Sequence, residues 1–257
     1  MPKIVYVFRD GYDAQYLLPS FTGPDIPYET HVILETGALA RKKKLKRILK
    51  SYPWYRFPQM VADLGALWLY DKVLTRQMQA RLGFVSGPLP PHDTIDDINE
   101  PRALELLRGL RPNLIVVYGV GILTRKTLEA LPCEAYNIHS SVLPYYKNVH
   151  SDFWAFCNDD LDKIGITIFK LDPGVDTGSI ALQRAVQQVN PDPHLSLADY
   201  KCENLQLIRR LVPEFLSLYF AGKIQLRKQE EVRSLGTTPK LKDFLRYRAV
   251  CRTRKVR

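Results

Sequence analysis

An open α/β sheet, doubly wound and mostly parallel with helices flanking it, is the architecture this sequence predicts. Two observations carry the prediction. Short apolar or β-branched runs alternate with helix-patterned stretches along most of the chain, the order expected where parallel strands are joined by helical crossovers. Residues 114–117, Leu-Ile-Val-Val, are apolar at every position, which suits a strand covered on both faces of a parallel sheet.

The elements follow in order. Residues 3–8 read as a first strand and 13–18 as a short helix. Pro19, Gly23 and Pro24 mark the loop leading to a second strand at 31–34. Residues 38–49 are helical in pattern and basic. Pro53 and Pro58 interrupt a cluster of Tyr52, Trp54, Tyr55 and Phe57, and helix resumes over 60–80, with Leu64, Leu67, Trp68 and Val73 as the expected apolar face. A loop is expected over 84–91, with room in it for a short strand. An amphipathic helix over 100–110 places Leu104, Leu107 and Leu110 on one side. After the 114–117 strand, Gly119 and Gly121 break the chain and Thr124 caps a helix running to Leu131. Strands are expected at 136–139, 164–171 and 180–188, and a helix from 197 to 219, stopped by Gly222. Residues 1–223 form the main domain in this reading, with an insertion around 38–80. Residues 224–257 form a basic extension, in which Leu241, Phe244 and Leu245 predict one short helix packed back on the body.

At 257 residues the chain supports one sizeable core. No apolar run approaches the roughly 18–20 residues of a membrane span, and the chain enters a strand at Ile4, so the expected location is cytoplasmic, with a peripheral position on the inner membrane face as its extension. Cys133, Cys157, Cys202 and Cys251 are scattered, which speaks against a disulfide framework or a metal signature. The net charge of +10, concentrated at 41–50 and 246–257, favours an anionic partner.

Chemistry concentrates between Tyr136 and Gly178. Asn137 and His139 are two apart, so a strand presents both on one face. Asp176 follows in a glycine-bounded loop after the β-branched run Ile166-Thr167-Ile168. An amide to donate to a developing oxyanion, an imidazole to move a proton and a carboxylate to orient it suit acyl transfer.

The motif Asn-x-His-x-Ser-x-Leu-Pro at 137–144, followed by Asp-x-Gly-x-Asp-Thr-Gly at 172–178, resembles the folate-dependent formyltransferase family. The resemblance is strongest over residues 96–223 and weak before them. It implies a Rossmann-like formyltransferase fold, 10-formyltetrahydrofolate as formyl donor, no metal, and Asn137, His139 and Asp176 as the catalytic set. It implies folate contacts, mostly by main chain, from Tyr118, Gly119, Val120, Gly121, Ile122 and Leu123 and from Leu171, Asp172 and Gly174. Tyr146, Asn148 and His150 match the polar loop beside the acceptor, and Arg9 is the group after the first strand that could meet an anion. Ser141 and Pro144 read as architectural.

The acceptor is expected to be a small molecule, a nucleotide-linked amino sugar, with no nucleic acid. Glycinamide ribonucleotide formyltransferases carry a glycine-rich phosphate turn after the first strand, whereas here the turn is Arg9-Asp10-Gly11-Tyr12. A divergent enzyme of that kind, or one for another small amine, is the alternative. Methionyl-tRNA formyltransferases carry a further C-terminal domain for which little chain follows Lys223, and deformylases carry an N-terminal regulatory domain. From another class, a non-catalytic protein binding anionic surfaces or nucleic acid would use the same basic segments. Residues 41–57 place seven Lys or Arg in their first ten positions, then Pro53 among four aromatics, with Pro58 directly after. This segment is expected to lie on an anionic membrane or to form a homodimer contact, against the plain alternative that its aromatics complete the core.

Overall fold

The computed structural model describes residues 1–38, 49, 52–83, 88–192, 194–232 and 237–254. A seven-stranded sheet runs in the order β3-β2-β1-β4-β5-β6-β7. Its strands are β1 (Lys3–Arg9), β2 (Glu29–Glu35), β3 (His92–Ile95), β4 (Leu114–Tyr118), β5 (Ala135–His139), β6 (Gly165–Lys170) and β7 (Ile180–Ala185). The first five pair in parallel; β6 runs antiparallel to β5, and β7 to β6. This is the doubly wound, mostly parallel fold expected. The antiparallel turn at β6 was not legible in the pattern, because a buried strand looks the same in either direction. β3 also lies just beyond the stretch read as loop; its first three residues are exposed, so no apolar run announces it.

Helices cover both faces. On one lie α1 (Tyr12–Leu17), α2 (Phe57–Leu82), α5 (Ser151–Cys157), α6 (Leu197–Phe220) and α7 (Leu241–Thr253), packed on Tyr6, Phe8, Val116, Tyr136 and Ile138. On the other lie α3 (Pro101–Leu110) and α4 (Arg125–Ala130), packed on Val5, Val7, Ile33, Ile115 and Val117. Alternate residues of β1 and β4 thus feed opposite cores. Thr124 caps α4 by accepting from the Thr127 amide at 3.2 Å, and Ser196 with Asp199 closes a reciprocal capping box on α6.

The phase of α2 differs from the sequence expectation. Met60, Asp63, Leu74 and Met78 face inward, whereas Trp68 and Val73, expected in the core, are 59% and 44% exposed. The helix is apolar on both sides, so periodicity did not select the buried one. Most of residues 38–51, including nearly all of the basic run, fall outside the described residues.

The segment after Lys223 is joined to the body. Arg227 and Ile180 exchange main-chain hydrogen bonds of 2.8 and 2.9 Å along the free edge of β7. Trp154 Nε1 donates to the Thr237 carbonyl at 2.7 Å, and the Leu241 amide donates to Asp63 at 2.8 Å. The predicted short helix is α7, thirteen residues long.

At the carboxyl edge of the sheet one buried carboxylate gathers several elements. Glu35, fully buried at the end of β2, accepts from the Ile98 amide at 2.9 Å and the Gly121 amide at 3.0 Å and pairs with Arg9 at 2.9 Å. Arg9 also donates to the Gly119 carbonyl at 3.2 Å. Gly37, at φ 65°, leaves room for that guanidinium, since a Cβ there would lie 1.4 Å from an Arg9 nitrogen. Removing the carboxylate leaves two amides and a guanidinium, the side chain of Arg9 being 31% exposed, without their acceptor, so Glu35→Ala is expected to cost about 1–3 kcal/mol in urea unfolding, with Glu35→Gln losing less. A loss below about 1 kcal/mol would show that these loops close without it.

Candidate active site

His139 ends β5 beside the point where the sheet turns antiparallel. Its Nε2 lies 2.8 Å from the Tyr146 carbonyl oxygen. A carbonyl only accepts, so Nε2 carries the proton. The same carbonyl accepts from Ser141 Oγ at 2.8 Å, which fixes the loop against the strand. Nδ1 therefore faces the site, 3.8 Å from Asp176 Oδ2, and both side chains are largely buried, at 10% and 14% exposed. Asn137, on the same strand face as His139, is half-buried, and its carboxamide makes no hydrogen bond among the described residues.

Asp176 is held from several directions. Its Oδ2 accepts from the Asn148 amide at 2.8 Å, and its backbone takes the left-handed conformation at φ 52°. Upstream, Asp172 Oδ1 accepts from the Gly174 amide at 3.1 Å and from Thr177 Oγ1 at 2.7 Å, an Asx-type turn. Gly178 passes so close to β6 that a Cβ would lie 1.7 Å from the Lys170 carbonyl. Gln229 closes the loop from outside, its Nε2 donating to the Asp176 and Gly178 carbonyls at 2.9 and 2.8 Å.

Several residues expected at the site have other contacts. The Arg9 guanidinium is engaged by Glu35 and Gly119, which orders the edge instead of presenting a free cation to an anion. Tyr146 is 1% exposed and belongs to the core, its hydroxyl donating to Asp160; only its carbonyl reaches the site. Asn148 contributes its amide, and His150 sits at φ 58° as the N-cap of α5. Asp172 is occupied within its own loop, and the Leu171 amide bonds Ala135 at 2.9 Å. In the loop after β4, the Gly119 carbonyl, Gly121 amide and Ile122 carbonyl are taken by Arg9, Glu35 and Asn99, and Leu123 is buried. The main-chain groups of Val120 and Val175 make no hydrogen bond to described residues, and Ile122 and Val175 expose their side chains. Free main-chain donors and acceptors beside exposed apolar groups fit a flat heteroaromatic ring such as a folate pterin.

Behind β4 and β5 lies a cavity of about 190 Å³ whose lining includes Asp13, Tyr118, Ser140, Asp152, Lys201 and Asn204. It lies where strand order reverses between β1 and β4, the switch point at which open α/β sheets bind ligands. Tyr118 donates to Asp13 at 3.1 Å, and Lys201 pairs with Asp152 at 2.6 Å. Burial pushes the Asp13 carboxyl up from its ordinary value, against the opposing pull of Lys201 and the Tyr118 hydroxyl. Burial acts to lower Lys201, yet Asp152, Asp13 and Asp71 hold its ammonium above the ordinary value. The Asn204 carboxamide is buried with neither polar atom bonded, an expensive arrangement unless something enters the cavity. Apart from Tyr118, which was expected at the folate site, sequence reading missed these residues and Glu35. A signal existed for two: Lys201 and Asn204 fall one turn apart on the otherwise apolar face of α6. Gln229 had none.

Gln229→Ala removes two donors from the Asp176 loop. Amide exchange over residues 172–178 is expected to accelerate more than in β4, with global stability lowered by about 1–2 kcal/mol. Equal acceleration throughout would show that the clamp is not local.

Known proteins resemble the chain in this region above all. Residues 94–202 match the family model described as formyl transferase. A methionyl-tRNA formyltransferase of Thermotoga maritima is 33% identical over 140 residues, 54% of this chain but 44% of the relative. The chain thus spans less than half the length of that curated relative. Among solved structures, a 4-N formyltransferase from Francisella tularensis aligns with a TM-score of 0.56 over 96% of this chain and 86% of that one, at 14% identity. An N-formyltransferase from Helicobacter canadensis, in complex with folinic acid and dTDP-3-aminofucose, aligns with a TM-score of 0.53 over 91% of this chain and 70% of that one, at 16% identity. At such identities these two likenesses show the fold, and the sequence motif lies within the segment, residues 94–202, that matches the formyl transferase model.

Proposed function

We propose that this protein transfers a formyl group from 10-formyltetrahydrofolate to the primary amine of a nucleotide-linked amino sugar. The observation that carries the reading is the orientation of His139. With Nε2 committed to the Tyr146 carbonyl, Nδ1 is the nitrogen that exchanges protons. It takes a proton from the amine as the new C–N bond forms, and Asp176, 3.8 Å away, offsets the resulting positive charge. The unbonded Asn137 amide donates to the carbonyl oxygen as negative charge develops there. His139 then returns its proton to the departing nitrogen. Bound 10-formyltetrahydrofolate would supply the formyl carbon and that leaving nitrogen, with the loops around Val120 and Val175 holding its ring.

The acceptor assignment rests on the cavity. Its three carboxylates and one ammonium suit an amine-bearing, hydroxyl-rich body better than a phosphate, so a diphosphate would sit outside it. The Helicobacter protein's two ligands illustrate this pairing of a folate with a nucleotide-linked amino sugar. A second reading, a charged tRNA as acceptor, draws on the curated relatives.

The test is incubation with 10-formyltetrahydrofolate and either dTDP-linked 3- or 4-amino sugars, glycinamide ribonucleotide or methionyl-tRNA, with mass spectrometry for one added formyl group. The sugar products are expected; product only with methionyl-tRNA or glycinamide ribonucleotide would reassign the acceptor. His139→Ala should lower kcat by about 10²–10⁴ and Asn137→Ala by about 10²–10³, with folate affinity unchanged because neither side chain holds the ring. Loss of folate binding in the His139 variant would refute these roles.

A further inference from the structure

The outer face of α2 has no partner among the described residues. Val61, Trp68, Leu69 and Val73 lie along it at helical spacing and are 51%, 59%, 57% and 44% exposed. Just before the helix and at its start, Trp54, Tyr55 and Phe57 are 88%, 63% and 56% exposed. A contiguous run of large apolar groups on a water-facing helix is unusual and marks an interaction surface. The helix's inner face is accounted for by Met60, Leu74 and Met78 in the core.

The charge around the run is mainly positive. The exposed charges interspersed with it are Arg56, Lys72 and Arg76, and Lys72 lies 4.1 Å over the Trp68 ring. Of the two acids of α2, Asp63 is buried and accepts from Tyr52 and Leu241, and Asp71 is exposed but lies on the side of the helix that lines the cavity behind β4. The preceding sequence adds seven Lys or Arg between residues 41 and 50, in a chain of net charge +10.

We propose that this face docks on an anionic lipid bilayer, with α2 lying in the plane of the headgroups. Apolar side chains enter the headgroup–acyl boundary, Trp and Tyr sit at its polar level, and the cations meet acidic headgroups. No described helix is long and apolar enough to cross a membrane, so the contact is peripheral. A second copy fits less well, because a two-fold contact through this face would set the same cations against one another.

The test is co-sedimentation of the full chain with phosphatidylcholine vesicles, with or without about one-third phosphatidylserine, in low and high salt. Binding to the anionic vesicles is expected, weaker in high salt, and reduced about tenfold or more by W68S/L69S, since those side chains supply apolar burial. Thermal unfolding of the variant checks that it folds, and V61S/V73S gives a second reading of the same face. Absence of binding to anionic vesicles in low salt would overturn the proposal. So would binding that both double variants leave intact, which would assign it to charge alone. A soluble dimer that W68S/L69S dissociates would assign the face to a second copy, and tight RNA binding lost with the same substitutions would assign it to nucleic acid.

Discussion

A single buried carboxylate organises the end of the sheet on which the site is built. Glu35 is at the terminus of β2, yet its oxygens reach the Ile98 amide, the Gly121 amide and Arg9. A carboxylate in this position is costly to desolvate and is retained because its acceptor sites are filled by donors. The result is mechanical. The loop after β3, the loop after β4 and the end of β1 are tied to one point, and Arg9 extends the tie to the Gly119 carbonyl. The loop that offers free main-chain groups at Val120 is therefore shaped from beneath before any ligand arrives.

The second constraint lies one strand away and works through a carbonyl. Tyr146 is a core residue by its ring, but its carbonyl accepts from both His139 and Ser141. That choice of acceptor sets the imidazole's tautomer and aims Nδ1 at Asp176. The loop carrying Asp176 is held by Asn148 on one side and Gln229 on the other. The His–Asp geometry therefore depends on a segment from beyond Lys223. The chain's last part is not a passive tail in this respect: it supplies the donor that fixes two carbonyls of the loop.

Much of this was legible because the residues concerned repeat a simple pattern. Strands buried on both faces leave continuous apolar runs, and the Asn137–His139 spacing defines a shared face without any tertiary information. What was not legible depended on which of two equivalent surfaces a tertiary partner covers. Helix α2 is apolar on both sides, so sequence pattern placed Trp68 and Val73 inward where the fold turns them out. Strand direction at β6 leaves no mark in composition. Arg9 looked like a free cation because its partner, Glu35, lies on another strand. Gln229 acquires meaning only when the chain returns to the edge of β7.

The charge distribution separates two scales of attraction. The net charge of +10 is concentrated along the sequence at 41–50 and 246–257, and at ordinary salt the attraction of exposed charges is screened over about 8–10 Å. The cavity behind β4 has the opposite local balance, with Asp13, Asp71 and Asp152 against Lys201, in surroundings where water screens less. In the function proposed above, the amine-bearing body of the acceptor enters among these carboxylates and its diphosphate stays outside the cavity. Burial pushes Asp13 up despite the opposing pull of Lys201 and the Tyr118 hydroxyl, so the contacts that shape the cavity's wall also limit that rise.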